Sequence, residues 1–158
     1  MARELVVVWV GRHRRDRWER VCRPYRERIS RHLPLREVAV KSIGSSSDRE
    51  RLRNEGEALI KALPAPVWSV ALDRRGKMRD SLELAGWLTR KLEEWPHPIA
   101  FLLGSDLGLA EAVRRESRER LSLGPLTLPH ELARLLLYEQ LYRALSISAG
   151  IKYHRLPL

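Results

Sequence analysis

The end of the chain carries three adjacent side chains of types that are common in catalytic sites. Tyr153, His154 and Arg155 offer an aromatic ring, an imidazole that can accept a proton near neutral pH, and a fixed cation. Such a set can stack on a flat substrate, remove a proton from it and stabilise the anion that forms. The alternative is a frayed end, because residues next to a terminus often have little to hold them.

Other side chains of catalytic type have simpler explanations. His130 stands at the start of a predicted helix, where the helix dipole makes it a poor cation, and a structural hydrogen bond is the alternative to a functional role. Cys22, the single cysteine, falls within the first predicted helix, which indicates core packing. The sequence shows no Ser-His-Asp or Cys-His arrangement and no Cys/His cluster with the spacing of a zinc site.

Three segments could bind a ligand, because each follows a predicted strand of an α/β sheet. They cover 72–77, 104–108 and 123–127, and ligands of open α/β sheets bind beyond the carboxyl ends of the strands. Neither the dinucleotide fingerprint G-x-G-x-x-G nor the phosphate loop is present. A glycine after a strand is also a common turn residue, so each segment alone is weak support for a site.

Five apolar runs alternate with five segments of helical periodicity. The predicted strands cover 5–10, 35–40, 67–72, 99–103 and 121–123, and the predicted helices 16–30, 48–63, 81–95, 109–118 and 129–149. Asp48 is the expected N-cap of the second helix, and Pro129 the expected first residue of the last. Residues 73–77 have turn composition. This alternation predicts an α/β fold with a parallel sheet and helices on both faces.

The length and charge of the chain limit its class. Its 158 residues predict one domain over 1–158, and 25 Arg with 5 Lys against 20 acidic residues give a net charge of +10. This surplus predicts a polyanionic partner, either nucleic acid or an anionic membrane surface, with a thermostable or GC-biased surface as the alternative. One cysteine, no signal pattern and no apolar run long enough for a membrane span predict a cytoplasmic protein.

The last predicted helix has more leucines than one sheet face can cover. A homodimer interface would use the excess, and a deeply buried terminal helix is the alternative.

Motifs spread over the chain resemble one family. The last third contains FLLG from Phe101, LSL from Leu121, LTLPH from Leu126, EQ-x-YRA from Glu139 and G-x-x-YH from Gly150. Earlier matches are Gly11 ahead of Trp18, EGE from Glu55 and LD-x-x-GK from Leu72. In this order and spacing they resemble the large-subunit ribosomal RNA methyltransferase H family. The resemblance covers nearly the whole chain.

The resemblance implies a fold, a cofactor and a substrate. It implies a SPOUT-type α/β methyltransferase with a parallel sheet of five to six strands and a C-terminal trefoil knot, working as a homodimer without metal or membrane. The family uses S-adenosylmethionine to methylate N3 of a pseudouridine in helix 69 of 23S rRNA on the assembled ribosome. Its cofactor contacts match Leu72, Gly104, Leu123, Gly124, Pro125, Leu126, Thr127 and Leu128. We expect the backbone at Gly104 to approach the cofactor.

The chain departs from the family pattern at several positions. Ser105 replaces a glycine, so the loop keeps its path only if that position tolerates a side chain. Gly124-Pro125 replaces a pair that begins with serine, and this removes a hydroxyl and one backbone N–H from the cofactor loop. Lys152 replaces a common proline, and residues 156–158 extend the tail.

The reaction suggests roles for the tail. The imide N3–H must lose its proton, and the flanking carbonyls then carry negative charge, so His154 is the candidate base and Arg143 or Arg155 the candidate cation. Tyr153 would be a stacking or hydrogen-bonding wall. The alternative is that all four only grip the RNA. Arg12, Arg14, Arg15 and Arg17 form the densest basic cluster and are the predicted phosphate contacts, with a solvated helix face as the alternative.

Two other functions fit parts of this pattern. A related SPOUT methyltransferase acting on tRNA would keep the fold and the cofactor. A non-catalytic ribosome-binding assembly factor would not need to bind S-adenosylmethionine.

Overall fold

Strands and helices alternate through the whole molecule. The computed structural model describes residues 3–11, 17–42, 44 and 47–155. The elements are, in chain order, β1 (Leu5–Val10), α1 (Arg17–Ser30), β2 (Leu35–Val40), α2 (Asp48–Lys61), β3 (Trp68–Met78), α3 (Ser81–Glu94), β4 (Ile99–Leu103), α4 (Glu111–Glu116), β5 (Glu119–Ser122) and α5 (His130–Ser148). The five strands form one sheet in the order β2-β1-β4-β3-β5, and every neighbouring pair is parallel. The predicted fold class is confirmed, while the trefoil knot stays a prediction.

Two apolar cores lie on the two faces of this sheet. Leu5, Val7 and Trp9 of β1 pack with α1, α3 and α5, whereas Val6 and Val8 pack with α2 and α4. The alternation follows from the two-residue period of a strand. Both faces are covered, which explains why β1 and β4 are apolar at every position.

Three predicted helix ends are wrong. The N-cap of α2 is Ser47, whose hydroxyl accepts from the Glu50 N–H, while Asp48 lies in the first turn, where the helix dipole favours a carboxylate. Pro129 is the N-cap of α5, because its ψ of 141° is not helical. Helix α4 has six residues rather than ten, since Ala110 has extended backbone and β5 already begins at Glu119.

The predicted turn at 73–77 lies inside β3. This strand continues to Met78, and its residues Leu72 and Lys77 both pair with Leu121 of β5, so the residues between them form a bulge. A Cβ at Gly76 would stand 2.7 Å from the backbone of Arg120. The glycine therefore lets the bulge lie directly on β5, and β3 resumes its pairing with β5 at Lys77 after four residues without a strand partner in this register.

Helix α5 is buried along much of its length. Leu137 and Leu141 are fully covered, and α5 packs against both α1 and α3. The deeply buried helix thus accounts for most of the leucine excess, although Leu132 keeps 37% of its surface exposed. Tyr138 donates to Glu37 of β2, and burial raises the pKa of this phenol well above its usual value.

Two further observations concern membrane-spanning helices and the single cysteine. No helix in the described part of the chain is long and apolar enough to cross a membrane. Cys22 is fully buried, and burial raises the pKa of its thiol, so this side chain stays protonated as core packing predicts.

Candidate functional site

The three predicted ligand segments lie side by side, although 72–77 belongs to β3 rather than to a loop after it. Strands β4, β3 and β5 are neighbours in the sheet and parallel, so their carboxyl ends share one edge. Gly104 follows β4 directly, Leu72 is the last residue of β3 before the bulge, and residues 123–128 connect β5 to α5. Segments far apart in the chain therefore form one surface, which we call the loop edge.

The glycine loop, residues 104–108, folds back on itself. Gly108 donates its N–H to the Ser105 carbonyl at 2.9 Å and has a φ of +78°. A Cβ on Gly104 would collide with the Gly108 carbonyl and stand 2.9 Å from the Leu109 nitrogen. The close approach expected at Gly104 is thus made by the loop's own backbone, which explains the two glycines without a ligand.

A buried carboxylate of α2 binds the glycine loop through a hydrogen bond. Glu55 of α2 is 1% exposed and accepts from the Ser105 hydroxyl at 2.7 Å and from the Ser42 hydroxyl at 2.7 Å. Arg51, one turn earlier, donates its Nε–H to Glu55 at 3.1 Å and pairs with Asp106. We call these five residues the Glu55 clamp. It joins α2, the segment after β2 and the glycine loop.

Ser105 is therefore well accommodated in place of the family's glycine. Every positive φ in the described residues belongs to a glycine, so Ser105 has backbone that any residue adopts. Its hydroxyl also accepts the Leu107 N–H at 3.2 Å. The added side chain fixes the loop rather than disturbing it.

The loop after β5 is anchored at its first residues and open further on. The Ser122 hydroxyl lies 3.0 Å from the carbonyl oxygens of Arg74 and Gly124, and it accepts the Gly124 N–H at 3.1 Å. Gly124 has a φ of +127°, and a Cβ there would meet nothing within 4 Å. Leu126 is 74% exposed. The loop thus presents open space at Gly124 and apolar surface at Leu126 beside a fixed anchor.

The tail forms a second polar cluster with α5. Arg143 donates to Glu139 through Nη2 at 2.6 Å and to His154 Nδ1 through Nη1 at 3.1 Å. Tyr153 donates its hydroxyl to Glu139 at 3.2 Å and packs edge-on against Tyr142 at 4.7 Å. The predicted catalytic residues Arg143, Tyr153 and His154 are therefore neighbours, and we call them, with Glu139, the tail cluster. Arg155 is exposed.

Protonation in the tail cluster follows from these contacts. The hydrogen bond to Glu139 raises the pKa of Arg143, and burial, with the Glu139 charge, raises the pKa of Tyr153 to about 12. A guanidinium only donates, so His154 Nδ1 accepts and a neutral ring carries its proton on Nε2. That Nε2 is buried and has no partner among the described residues.

The loop edge and the tail cluster are separate within one chain. In the described residues, the side-chain hydrogen bonds and ring contacts of Tyr153 and His154 go to α5 and to Tyr25 of α1, and the Tyr153 N–H donates to the Ile151 carbonyl at 2.8 Å. None of them reaches the three loops.

The remaining residues that the sequence singled out belong to neither the loop edge nor the tail cluster, or lie outside the described residues. Arg12, Arg14 and Arg15 lie outside the described residues, as does the tail extension 156–158, and Arg17 is exposed at the start of α1. His130 contacts the neighbouring Glu131 at 3.1 Å, in line with a structural role.

Sequence reasoning missed the residues that hold the site together. Glu55 enters the sequence prediction only as part of a motif, although its place four residues after Arg51 on the buried side of α2 could have indicated a pair. Glu139 carries the same signal with Arg143. The anchoring role of Ser122 has no signal of this kind.

Comparisons with known proteins agree across the chain. Residues 4–154 match the family model described as predicted SPOUT methyltransferase. Two similar relatives, both named ribosomal RNA large subunit methyltransferase H, come from Gluconacetobacter diazotrophicus (45% identity, 94% of this chain and 95% of the relative) and Solidesulfovibrio magneticus (39% identity, 95% and 97%).

Solved structures resemble the fold at lower identity. A probable methyltransferase from Bordetella pertussis Tohama I has a TM-score of 0.55 at 20% identity, covering 90% of this chain and 93% of its own. A probable methylase family protein from Haemophilus influenzae has a TM-score of 0.51 at 14% identity, covering 99% and 72%. At these identities the likeness concerns the fold alone.

Proposed function

The chain belongs to the SPOUT methyltransferase family, and we propose that it transfers a methyl group from S-adenosylmethionine to 23S ribosomal RNA in the cytoplasm. One observation carries this proposal: relatives named for this activity are similar along the full length of the chain, at 36–45% identity. In finer detail, we propose that the target is N3 of a pseudouridine in helix 69 of the assembled ribosome.

The loop edge fits the methyl donor. It combines open space beside the Gly124 Cα, apolar surface at Leu126 and a glycine loop whose path is fixed before any ligand arrives. We propose that the cofactor is held by Leu72, Gly104 and the run Leu123, Gly124, Pro125, Leu126, Thr127 and Leu128. Bound there, S-adenosylmethionine supplies a methyl group on a sulfonium, which is open to in-line displacement. Fixing both reactants in line is worth about 7–11 kcal/mol of the barrier.

The tail cluster has the groups that proton removal needs. We propose His154 as the base for the N3–H, worth roughly 10² to 10⁴ in rate, and Arg143 or Arg155 as the cation for the developing anion. In the isolated chain Arg143 occupies the Nδ1 lone pair of His154. The proposal therefore requires Arg143 to leave His154 for the RNA anion. Tyr153, protonated at neutral pH, would serve as the wall.

A homodimer would bring the two clusters together. Because the tail cluster of one chain makes no polar or ring contact with its own loop edge in the described residues, we propose that each active site combines the loops of one chain with the tail of the other. Val21, Leu132 and Ile151 are 45%, 37% and 44% exposed, and all three belong to α1, α5 or the tail. Their burial between two copies would contribute part of the apolar contact of such an interface.

Transfer of a tritiated methyl group tests the function. Assembled 70S ribosomes, isolated large subunits, free 23S rRNA and tRNA are offered side by side, and the methylated nucleoside is identified by mass spectrometry. We expect a methylpseudouridine in ribosomal substrates. Methylation of tRNA alone would replace the proposal with a tRNA enzyme. Absence of both transfer and S-adenosylmethionine binding would indicate a ribosome-binding factor.

A further inference from the structure

Four exposed cations lie together where β3 and β5 end. Arg74, Arg75 and Lys77 belong to the bulged part of β3, and Arg120 belongs to β5. The backbone of Gly76, between two of them, packs directly on the backbone of Arg120. We call these four side chains the basic ridge.

The bulge that carries the ridge is fixed by several contacts. The Arg75 N–H donates to Asp73 at 3.1 Å, and the Arg74 carbonyl lies 3.0 Å from the Ser122 hydroxyl. The Asp73 side chain, itself 8% exposed, pairs with Arg114 of α4 at 3.3 Å. The backbone under the cations is therefore set before a partner binds, which lowers the entropy cost of binding.

In the described residues six arginines pair with a carboxylate, and the ridge cations are not among them. Arg26, Arg51 and Arg143 each form an ion pair with a glutamate. In the residues that the structure describes, no ridge side chain forms such a pair, and the nearby Asp73 is already engaged by Arg114. The ridge charge is thus available to an anion from outside the chain.

The ridge also adjoins the loop edge. Ser122, which touches the Arg74 carbonyl, also fixes Gly124 at the start of the proposed cofactor loop. Leu72 immediately precedes the bulge. A molecule lying on the ridge therefore reaches the place where the methyl group would be transferred.

We propose that the basic ridge binds the phosphate backbone of the RNA substrate and guides the target nucleotide to the loop edge. The inference rests on the proposed function, since it assigns that function its RNA contact. Clustered cations beside a transfer site fit a polyanion with regularly spaced phosphates, because such contacts position a nucleic acid without reading its sequence.

Two triple variants with the same change in charge test the ridge. The ridge variant carries Arg74→Gln, Arg75→Gln and Lys77→Gln. The control variant carries Arg53→Gln, Lys61→Gln and Arg90→Gln, at exposed positions of α2 and α3. Binding of each protein to 70S ribosomes is measured over a range of KCl concentrations. Affinity for S-adenosylmethionine is measured by calorimetry, and binding to phosphatidylserine vesicles in parallel.

We expect the ridge variant to bind ribosomes roughly tenfold more weakly at about 0.15 M KCl, and its log affinity to depend less steeply on log salt, by about one unit of slope for each phosphate that it no longer binds. Its affinity for S-adenosylmethionine should match the wild type, and the control variant should bind ribosomes within about threefold of it. Equal weakening in both variants would mean that only net charge matters and would overturn the ridge, as would an effect confined to vesicles.

Failure of the proposed function can be distinguished from failure of the ridge. If wild-type protein binds S-adenosylmethionine and neither binds nor methylates ribosomes, the function is wrong. If wild-type protein methylates ribosomes and the ridge variant does so with an unchanged KM, the ridge alone is wrong.

Discussion

Two glutamates, each paired with an arginine one helical turn away, support the two halves of the proposed active site. Glu55 is 1% exposed and its partner Arg51 is 23% exposed, whereas the side chains of Glu139 and Arg143 are 17% and 24% exposed. Glu55 binds two hydroxyls besides its arginine, one of them from the glycine loop. Glu139 binds the tail through the Tyr153 hydroxyl.

The difference in burial between the two pairs indicates how each half of the proposed site is held in place. Glu55 is buried, so its hydrogen bonds are costly to break and the glycine loop is set by the chain alone, although Asp106 at the outer end of the clamp is 67% exposed. The tail cluster is nearer to solvent, where such interactions are weaker, so the tail can exchange them for a partner chain or RNA. Changes in the clamp should therefore alter stability and cofactor binding, and changes in the tail should alter turnover.

Removing the tail should have the largest effect. Deletion of residues 153–158 removes the proposed base, and we expect methylation to fall by roughly 10² to 10⁴ while S-adenosylmethionine affinity stays within about twofold. The matched control is Lys152→Gln, at an exposed position just before the deletion, and it should keep full activity. A tail-deleted protein that methylates at the wild-type rate would remove the tail from the site.

Truncating the two glutamates compares the pairs directly. Glu55→Ala leaves two hydroxyls and the Arg51 Nε–H without their acceptor. We expect it to lower the free energy of unfolding by about 3 kcal/mol, the low end for a broken buried pair, because Arg51 is partly exposed and keeps Asp106. Glu139→Ala should cost about 1 kcal/mol or less. Urea unfolding of both variants gives the comparison. Equal costs would contradict the contrast between an internal clamp and a surface cluster.

A single hydroxyl should connect the clamp to the cofactor. Ser105→Ala removes the donor to Glu55 and the acceptor of the Leu107 N–H, so the glycine loop loses its link to α2. We expect calorimetry to show S-adenosylmethionine binding weakened about five- to tenfold, the size of one hydrogen bond of about 1 kcal/mol. Ser117→Ala is the control, because it removes a hydroxyl that donates to the Val113 carbonyl of α4 and contacts no part of the clamp among the described residues. Unchanged affinity in Ser105→Ala would separate the clamp from cofactor binding.

The smallest effect concerns alkaline stability. Because the pKa of Tyr153 is raised to about 12 from 10.0, the folded chain keeps a proton that the unfolded chain loses between these values. Stability should therefore fall as the pH rises from 10 towards 12, and Tyr153→Phe should fall less steeply than wild type. Unfolding in urea at several alkaline pH values measures both slopes. Parallel slopes would place Tyr153 outside the cluster.

The architecture could be predicted from the sequence because the spacing of apolar residues within each segment shows which of its faces is buried. The apolar runs at β1 and β4 predict their own bounds. The turn predicted at 73–77 is wrong in its setting: Asp73 accepts the Arg75 N–H within the segment, but β3 pairs with β5 on both sides of it. Non-local pairing of this kind has no local signature.

The site was predictable only in part, for a similar reason. Strand-end loops follow from the fold class, so Leu72, Gly104 and 123–128 could be located together in advance. The clamp could not, because Ser42, Glu55 and Ser105 come from three separate segments and meet only in the folded chain. The fold also requires a glycine at position 104 for a different reason from the expected one, because the Gly108 backbone, rather than a cofactor, occupies the space beside its Cα.

The central claim is that each active site takes its loops from one chain and its tail from the other. Mixing two inactive proteins tests it most directly. One lacks residues 153–158, and the other carries Gly104→Val, whose side chain would collide with the Gly108 carbonyl and disrupt the glycine loop. Each heterodimer would contain one site with an intact loop and an intact tail. We predict that the mixture recovers methylation of 70S ribosomes in proportion to the heterodimers formed, up to one working site in each. Heterodimers that form, verified by native mass spectrometry, and still transfer no methyl group would contradict the claim and show that each site is built within a single chain.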